Sequence, residues 1–152
     1  MTNYPLLFGR RELVEGNGFV ARVSVSGRAL LVDEDGEVWV EGINPGGFSA
    51  KGNSPGEALA AFCSAFLAVL FDIASEAATF QDFRREVHKF FDETDTAALH
   101  EWEEAVRRVK TGQLDAEWLS KKRADTRLGI EVAEVSSPAA ANNELGDTAL
   151  AA

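Results

Sequence analysis

Apolar and polar residues alternate with a period of two from Phe19 onward. Phe19, Ala21, Val23 and Val25 form one face of this stretch, and Val20, Arg22 and Ser24 form the other, as in a half-buried strand. Ser26 and Gly27 are predicted to turn the chain into a second strand over residues 28–33. A third strand, 37–43, follows Glu34-Asp35-Gly36, because an Asp-Gly pair supplies the positive φ angles of a tight hairpin. The pattern predicts a three-stranded antiparallel meander.

Residues 44–58 combine turn residues with the start of a helix. Asn44-Pro45-Gly46-Gly47 has turn composition, residues 48–51 are long enough for a short fourth strand, and Gly52-Asn53 turns again. Ser54 is a good helix N-cap, and Glu57 three residues later completes a capping box. A phosphate-binding loop is disfavoured, since Lys51 precedes Gly52 and that loop requires the opposite order.

The helix that follows Ser54 is apolar on nearly all of its faces. Its residues 58–71 carry no charge, but this stretch is shorter than the roughly 20 residues that a membrane span requires. A helix that is apolar all round has to be covered on two sides. We therefore expect either a second layer of helices or a twin subunit against it.

Two amphipathic helices are predicted next, because apolar residues recur at helical spacing over 80–90 and 99–109. Gly112 ends the second helix, and a short third helical segment is predicted over 116–128. The expected fold class is α+β: a small antiparallel sheet, the meander plus a short fourth strand, packed on a long apolar helix and followed by a helical C-terminal extension. The predicted domains are 1–78 (sheet and helix), 79–131 (helical extension that packs on it or forms a dimer interface) and 132–152 (flexible tail).

The chain is acidic, with 25 Asp and Glu against 15 Lys and Arg and a formal net charge of −10. This charge opposes non-specific attraction to nucleic acid or to anionic membranes, and it favours a basic partner. The N-terminal residues lack the apolar core and cleavage site of a signal peptide. The single cysteine, Cys63, cannot form an internal disulfide. These features predict a cytoplasmic protein with no membrane segment.

Several carboxylates lie close together in the predicted second hairpin: Asp33, Glu34, Asp35, Glu37 and Glu41. A metal or acid/base site needs converging carboxylates, but the first three lie in or beside a solvent-facing turn and the last two alternate with Trp39 on an exposed face. His88 and His100 have no Cys partner at the spacing of a zinc site. We therefore predict no catalytic residues, no metal, no cofactor and a protein that is not an enzyme.

Trp39 stands between Glu37 and Glu41 on the strand face opposite Val38 and Val40. It is either one wall of a second packing layer or an exposed anchor for a partner, since aromatic residues are enriched at such anchors. The predicted partner-binding residues are Glu37, Trp39, Glu41 and Phe48.

One region opposes the global charge, because between Arg107 and Arg127 seven basic residues face three acidic ones, a balance of +4. The candidates for nucleic-acid contact are Arg107, Arg108, Lys121, Lys122 and Arg123. Cations in the last turn of a helix also complement the helix dipole, and no recognition-helix pattern is present. DNA binding therefore stays one of two interpretations of this cluster.

The stretch from about residue 19 to 77 resembles the HicB-like antitoxin domain, whose pattern is a Pro-Gly turn followed by Gly-Asp-Thr-x-x-Glu-Ala. The matching residues are Pro45, Gly46, Gly52, Ser54, Glu57 and Ala58. One extra residue separates Pro45-Gly46 from Gly52, and Gly47 stands where the family often has Cys. The resemblance implies a partial ribonuclease-H-like fold that is not itself a nuclease.

The resemblance also implies a function, because such domains usually form dimers or higher assemblies and mask a small, basic, mRNA-cleaving toxin of the HicA type. We expect an antitoxin-like inhibitory binding protein with a basic HicA-like partner, assembled as a homodimer or higher. The alternative is a stand-alone acidic interaction or regulatory protein, of phage or mobile-element type, without a cognate toxin. The C-terminal extension does not resemble the DNA-binding module of the family.

The residues Leu150, Ala151 and Ala152 are similar to the ending of bacterial degradation tags. On a flexible tail they are expected to act as a degradation signal, whereas an alanine-rich tail also ends this way by chance.

Overall fold

The computed structural model describes residues 1–119, 121–123, 126–135 and 147–151. Its strands are β1 (Thr2–Glu15), β2 (Val20–Glu34), β3 (Glu37–Asn44), β4 (Ser49–Gly52), β5 (Lys121–Lys122), β6 (Gly129–Glu134) and β7 (Asp147–Ala151). Its helices are α1 (Pro55–Glu76), α2 (Phe80–Asp92) and α3 (Thr96–Lys110). The predicted α+β class is confirmed, with a mainly antiparallel sheet and a long apolar helix packed against it.

Strand β2 is the centre of the sheet. It pairs along its whole length with β1, while its other edge pairs first with β6 and then with β3. The strand order is β4-β3-β2-β1-β7-β5, with β6 beside β2 outside this path, and only β5 and β7 run parallel. Strands from residues 1–52 and from residues 129–151 therefore belong to one sheet.

Helices cover both faces of this sheet, which explains why strand residues pointing either way are buried. Helices α1 and α2 lie on one face over the larger apolar cluster, which includes Phe8, Val23, Leu31, Phe62, Phe66 and Phe83. Helix α3 lies on the other face over a smaller cluster, which includes Leu7, Leu30, Ile43, Trp102 and Val106. The molecule has three layers: α1 with α2, the sheet, and α3. The sequence predicted that α1 is covered on two sides. The sheet covers one side, and α2 covers only part of the rest of the helix.

Helix α1 begins at the predicted capping box. The Ser54 Oγ atom accepts a hydrogen bond from Glu57 N at 3.2 Å, and Glu57 Oε2 accepts one from Asn53 N at 2.8 Å. The buried residues of α1 recur at every fourth position: Ala58, Phe62, Phe66, Leu70 and Ala74. The opposite face is open, and Phe71 on it is 48% exposed.

Among the described helices, α1 is long and apolar enough to cross a bilayer, although only 28% of its most apolar 18-residue stretch is buried in the protein. This test rests on length and composition alone, and the core helix of a soluble protein also passes it.

Helix α3 is attached to the sheet through Trp102. Its indole Nε1 donates a hydrogen bond to the backbone oxygen of Leu6 at 3.1 Å, and both groups are buried. The Arg28 guanidinium lies 5.1 Å from the centre of the indole ring, at a distance typical of a cation–π contact. This side chain fixes α3 against both β1 and β2.

Two predictions about the first half of the chain are wrong. Residues 26 and 27 do not form a turn, since β2 runs unbroken through them, and β1 was not predicted at all. Gly27 serves close packing instead, because a Cβ atom there would lie 2.1 Å from the Asn44 backbone oxygen. The hairpin at residues 34–36 is confirmed, with positive φ at Asp35 and Gly36.

Two predictions about the second half are also wrong. The segment 116–128 is not helical where it is described, and it contains turns and the short strand β5. The predicted flexible tail, 132–152, supplies the end of β6 and all of β7, while residues 136–146 and 152 lie outside the described residues. Both strands pair with partners that are more than a hundred residues earlier in the chain, so local pattern cannot show them.

Candidate functional site

The predicted residues Glu37, Trp39 and Glu41 lie on one face of β3, the face that α3 covers. Trp39 is half-buried and packs against the smaller apolar cluster together with Leu99 of α3. Of the two interpretations of Trp39, the wall of a second packing layer is therefore the one that the structure supports. Trp39 is nevertheless only partly buried, and Glu37 and Glu41 flank it on the same strand face.

Lys51 of β4 brings a cation to this face. Its Nζ atom lies 3.2 Å from Glu37 Oε1 and 5.4 Å from the centre of the Trp39 ring. Lys51 and Trp39 are paired in the β3–β4 register, which places their side chains on the same side of the sheet. The surface formed by Glu37 and Trp39 thus already holds one ammonium group from the chain itself.

A second group of carboxylates lies further along β3. Half-burial raises the pKa of Glu41, and the charges of Glu101 and then Asp95 raise it further. In the described part of the chain none of these three carboxylates forms an ion pair with a basic side chain. We call Glu41, Asp95 and Glu101 the acidic cluster.

The loop between α2 and α3 positions the acidic cluster. Asp95 caps α3, since its Oδ1 accepts a hydrogen bond from Ala98 N at 3.0 Å, and its own N–H donates to the Ile43 oxygen at 3.1 Å. Gly46 N donates to the Glu93 oxygen at 2.8 Å, and a Cβ atom at residue 46 would lie 2.8 Å from Asp95 N. The start of α3 is therefore held against the end of β3, which brings Asp95 close to Glu41.

A cavity of about 290 Å³ opens beside the acidic cluster. Its lining comes from the end of β3, the turn after it, the edge strand and the α3 cap: Glu41, Gly42, Gly47, Phe48, Ser49 and Asp95. The predicted residue Phe48 reaches this cavity, but its ring stacks on Phe62 at 4.7 Å on the other side of the sheet. The Phe48 ring therefore packs with α1 and is not on the strand face of Glu37, Trp39 and Glu41.

A second cavity, of about 520 Å³, lies between the start of β1 and α3 and shares Glu101 with the acidic cluster. Its other charged lining residues are Glu104 and Arg108, which lie 3.5 Å apart. Arg108 offsets Glu104 only, so Glu101 remains as an excess carboxylate among the charged side chains of this lining.

The remaining acidic and histidine candidates do not converge. Within the described residues no group of three or more His, Cys, Asp or Glu side chains is arranged to hold a metal ion. Asp33, Glu34 and Asp35 lie at the β2–β3 turn, while His88 and His100 are on different helices that cover opposite faces of the sheet.

The basic candidates are divided between two elements. Arg107 and Arg108 lie in the last turn of α3, and both interact with Glu104 one turn earlier. The hydrogen bond from Arg107 lowers the pKa of Glu104, as do the charges of both arginines. Lys121 and Lys122 form β5, and Arg123 follows it.

The predicted degradation signal lies mostly inside the sheet. Leu150 and Ala151 are fully buried in β7, where Leu150 pairs with Leu6 of β1. Ala152 is outside the described residues. Recognition of this ending by an unfoldase would first require β7 to leave the sheet.

Sequence reasoning missed Asp95, Glu101 and Lys51 as members of this face. Asp95 carried a local signal, since an Asp before a helical pattern is a good N-cap. Nothing local indicated that this cap lies against β3, because the contact joins residues about fifty positions apart. Comparison of the chain with protein families, curated proteins and solved structures gives no match.

We predict that Glu41→Gln stabilises the isolated protein at pH 7, raising its Tm by about 1–2 °C. The raised pKa means that folding favours protonated Glu41, so the ionised side chain opposes folding at every pH above that pKa. The advantage of the variant should shrink as the pH falls and vanish below the ordinary pKa of glutamate.

Thermal unfolding at several pH values measures this difference, and Glu103→Gln is the matched control. Glu103 is an exposed carboxylate on the same helix as Glu101, and its neutralisation makes the same change in net charge. An equal rise in Tm for both variants would show that the effect is one of total charge and not of the acidic cluster.

Proposed function

We propose that this protein is a HicB-like, antitoxin-type inhibitory binding protein that masks a small, basic, HicA-like RNA-cleaving toxin. Its binding surface consists of Glu37 and Trp39 together with the acidic cluster. The supporting observation is that Glu41, half-buried and with a raised pKa, faces two more carboxylates and has no basic partner in the described chain. A cationic partner supplies the charge that this surface lacks.

The energetics favour a functional interpretation of this surface. Carboxylates held together oppose each other's ionisation, and a residue that costs stability without an internal partner is typical of binding sites. A lysine or arginine from another protein would lower the pKa of Glu41 and remove the repulsion. Opposite potentials also accelerate encounter and discriminate between partners, which suits an acidic chain that has to find a basic protein.

The same surface also suits the second candidate function, a stand-alone acidic interaction or regulatory protein of phage or mobile-element type. The two differ in the genome, since an antitoxin should lie next to a short reading frame that encodes a basic HicA-like protein. In either case we propose a cytoplasmic binding protein whose action needs neither catalysis nor a cofactor. DNA is a less suitable partner, because Arg107 and Arg108 are engaged with Glu104.

The binding surface is tested by affinity capture from lysates of the native cells, followed by mass spectrometry. We expect the wild-type chain to enrich a small basic protein. Glu41→Lys combined with Glu101→Lys should reduce this capture at least about tenfold, because like charges then face the partner. Changing charge alone leaves the packing of Trp39 intact.

The matched control is Glu76→Lys combined with Glu103→Lys, which changes the net charge equally at exposed positions on α1 and α3. It should retain capture. If no basic protein is enriched by the wild-type chain, or if both double variants lose it alike, the proposed surface and partner are wrong.

We also propose that the chain forms a homodimer or higher assembly through the open face of α1. Residues 58–71 carry no charge, so two chains of net charge −10 can approach there without direct repulsion. The exposed residues on this face are mostly small, namely Ala60, Ser64 and Ala68, with Phe71 and the charged Asp72 at one end. Small residues at this spacing allow two helices to pack closely.

Sedimentation analysis tests this assembly. We expect association of the wild-type chain below about 100 μM and a monomer for Phe71→Glu, whereas Phe71→Leu should still associate because it keeps an apolar contact. A wild-type chain that stays monomeric, or a Phe71→Glu variant that associates equally well, would contradict it.

A further inference from the structure

Strand β4 forms one end of the sheet, and no strand in the described chain pairs with its outer edge. The Gly42 N–H group donates to the Phe48 oxygen at 3.0 Å. Since hydrogen-bonded and non-hydrogen-bonded pairs alternate along an antiparallel ladder, the register of β3 and β4 directs the backbone groups of Ala50 toward β3. The backbone N–H and C=O groups of Ser49 and Lys51 therefore point outward, away from the sheet.

The side chains of Ser49 and Lys51 are exposed, and both lie on the face that carries the acidic residues of β3. Ser49 is paired with Glu41 and lines the cavity beside it. Lys51 lies against Glu37 and Trp39. Free backbone groups and an acidic, cavity-bearing face thus occur on the same four-residue strand.

We propose that the basic partner binds by adding an extended segment beside β4 and placing a lysine or arginine side chain in the cavity between Glu41 and Asp95, a mode of binding that rests on the function proposed above. Strand addition of this kind draws affinity from backbone hydrogen bonds and specificity from pockets for alternate side chains. Here the backbone bonds come from Ser49 and Lys51, and the pocket is acidic.

The dimensions suit this arrangement. Neighbouring strands lie about 4.8 Å apart, so the residue of the added strand opposite Ser49 is about 10 Å from the β3 backbone at Glu41. The long, flexible side chain of lysine or arginine spans this separation together with the glutamate side chain. A short polar side chain at this position lies too far from the Glu41 carboxylate for direct contact, so a basic residue is selected by length as well as by charge.

The part of this face beside Glu37 and Trp39 is already occupied by a cation of the chain itself, Lys51. Its ammonium group lies against Glu37 and Trp39, so that part of the face is neutralised by the chain. The position beside Glu41 and Asp95 has no such cation in the described chain, which makes it the point where an incoming cation gains most. A second copy of this acidic chain is a poorer occupant of the edge, since it adds carboxylates and few cations.

The test uses a synthetic peptide that alternates Lys and Thr as the probe, with amide chemical shifts of the isotope-labelled protein as the readout. We expect the probe to bind, with the Ser49 and Lys51 amides shifted and protected from exchange. Ser49→Pro should lower the affinity for the probe at least about tenfold, because proline removes one outward N–H group and blocks the edge. Proline at this kind of edge position is compatible with a strand, so the variant should still fold. Ser49→Ala keeps the N–H group and should bind as the wild type does.

Two further comparisons separate strand addition from simple charge attraction. A probe with Glu in place of Lys should not bind, and a Lys probe methylated on alternate amides should lose binding because it cannot form the ladder. Glu41→Gln should weaken the Lys probe by about tenfold, since a charge-assisted contact is lost.

Each contrary result overturns the inference. No binding of the Lys probe to the wild-type chain rules out the site. Equal binding by Ser49→Pro, or by the methylated probe, shows a charged surface without strand addition. Protection of Ser49 and Lys51 amides that rises with protein concentration in the absence of the probe shows that a second copy occupies the edge.

Different results would contradict the proposed function and the strand-addition inference. If the native partner is captured in a way that depends on Glu41 and Glu101 but not on Ser49→Pro, only strand addition is wrong. If the Lys probe binds as expected but no basic protein is captured from cells, the edge site stands and the antitoxin assignment is wrong.

Discussion

The backbone groups along both edges of strand β2 have to be hydrogen-bonded, and its side chains on both faces have to be covered. This constraint organises the rest of the molecule. The backbone of β2 pairs with β1 on one side and with β6 and β3 on the other, while its side chains enter the two apolar clusters on opposite faces. Buried backbone groups must be paired and apolar faces must be covered. Helices on both sides and strands from distant parts of the chain follow from these two requirements.

The position of α3 over this sheet creates the acidic surface. Trp102 ties the helix to β1 and β2, and the hydrogen bond from Asp95 to Ile43 ties its first turn to β3. Packing decides this geometry, and the carboxylates of Asp95 and Glu101 are carried to Glu41 as a result. Asp95 has a structural role as the cap of α3, whereas Glu41 and Glu101 form no ion pair in the described chain, and the proposed function rests on this difference.

Local signals in the sequence were sufficient where neighbouring residues determine the structure. The capping box at Ser54, the Asp-Gly hairpin and the three helices from Pro55 to Lys110 were predicted for this reason. Strand β1 was missed because Pro5, Leu6, Leu7 and Phe8 are buried in succession, which hides the alternation expected of a strand. The strands β6 and β7 were missed because only pairing with distant partners defines them. Glu37, Trp39 and Glu41 were found from their alternation, but Asp95 and Glu101 reach them only through tertiary contacts.

The central claim is that the fold holds Glu41 among carboxylates without a compensating cation. A titration of its side-chain carboxyl carbon, followed by nuclear magnetic resonance in the free protein, measures this directly. The account predicts a pKa above the ordinary value for glutamate that falls toward it in an Asp95→Asn, Glu101→Gln variant, where asparagine still caps α3. A pKa at or below the ordinary value in the wild-type chain would contradict the account, since Glu41 would then have a cationic partner or free access to water.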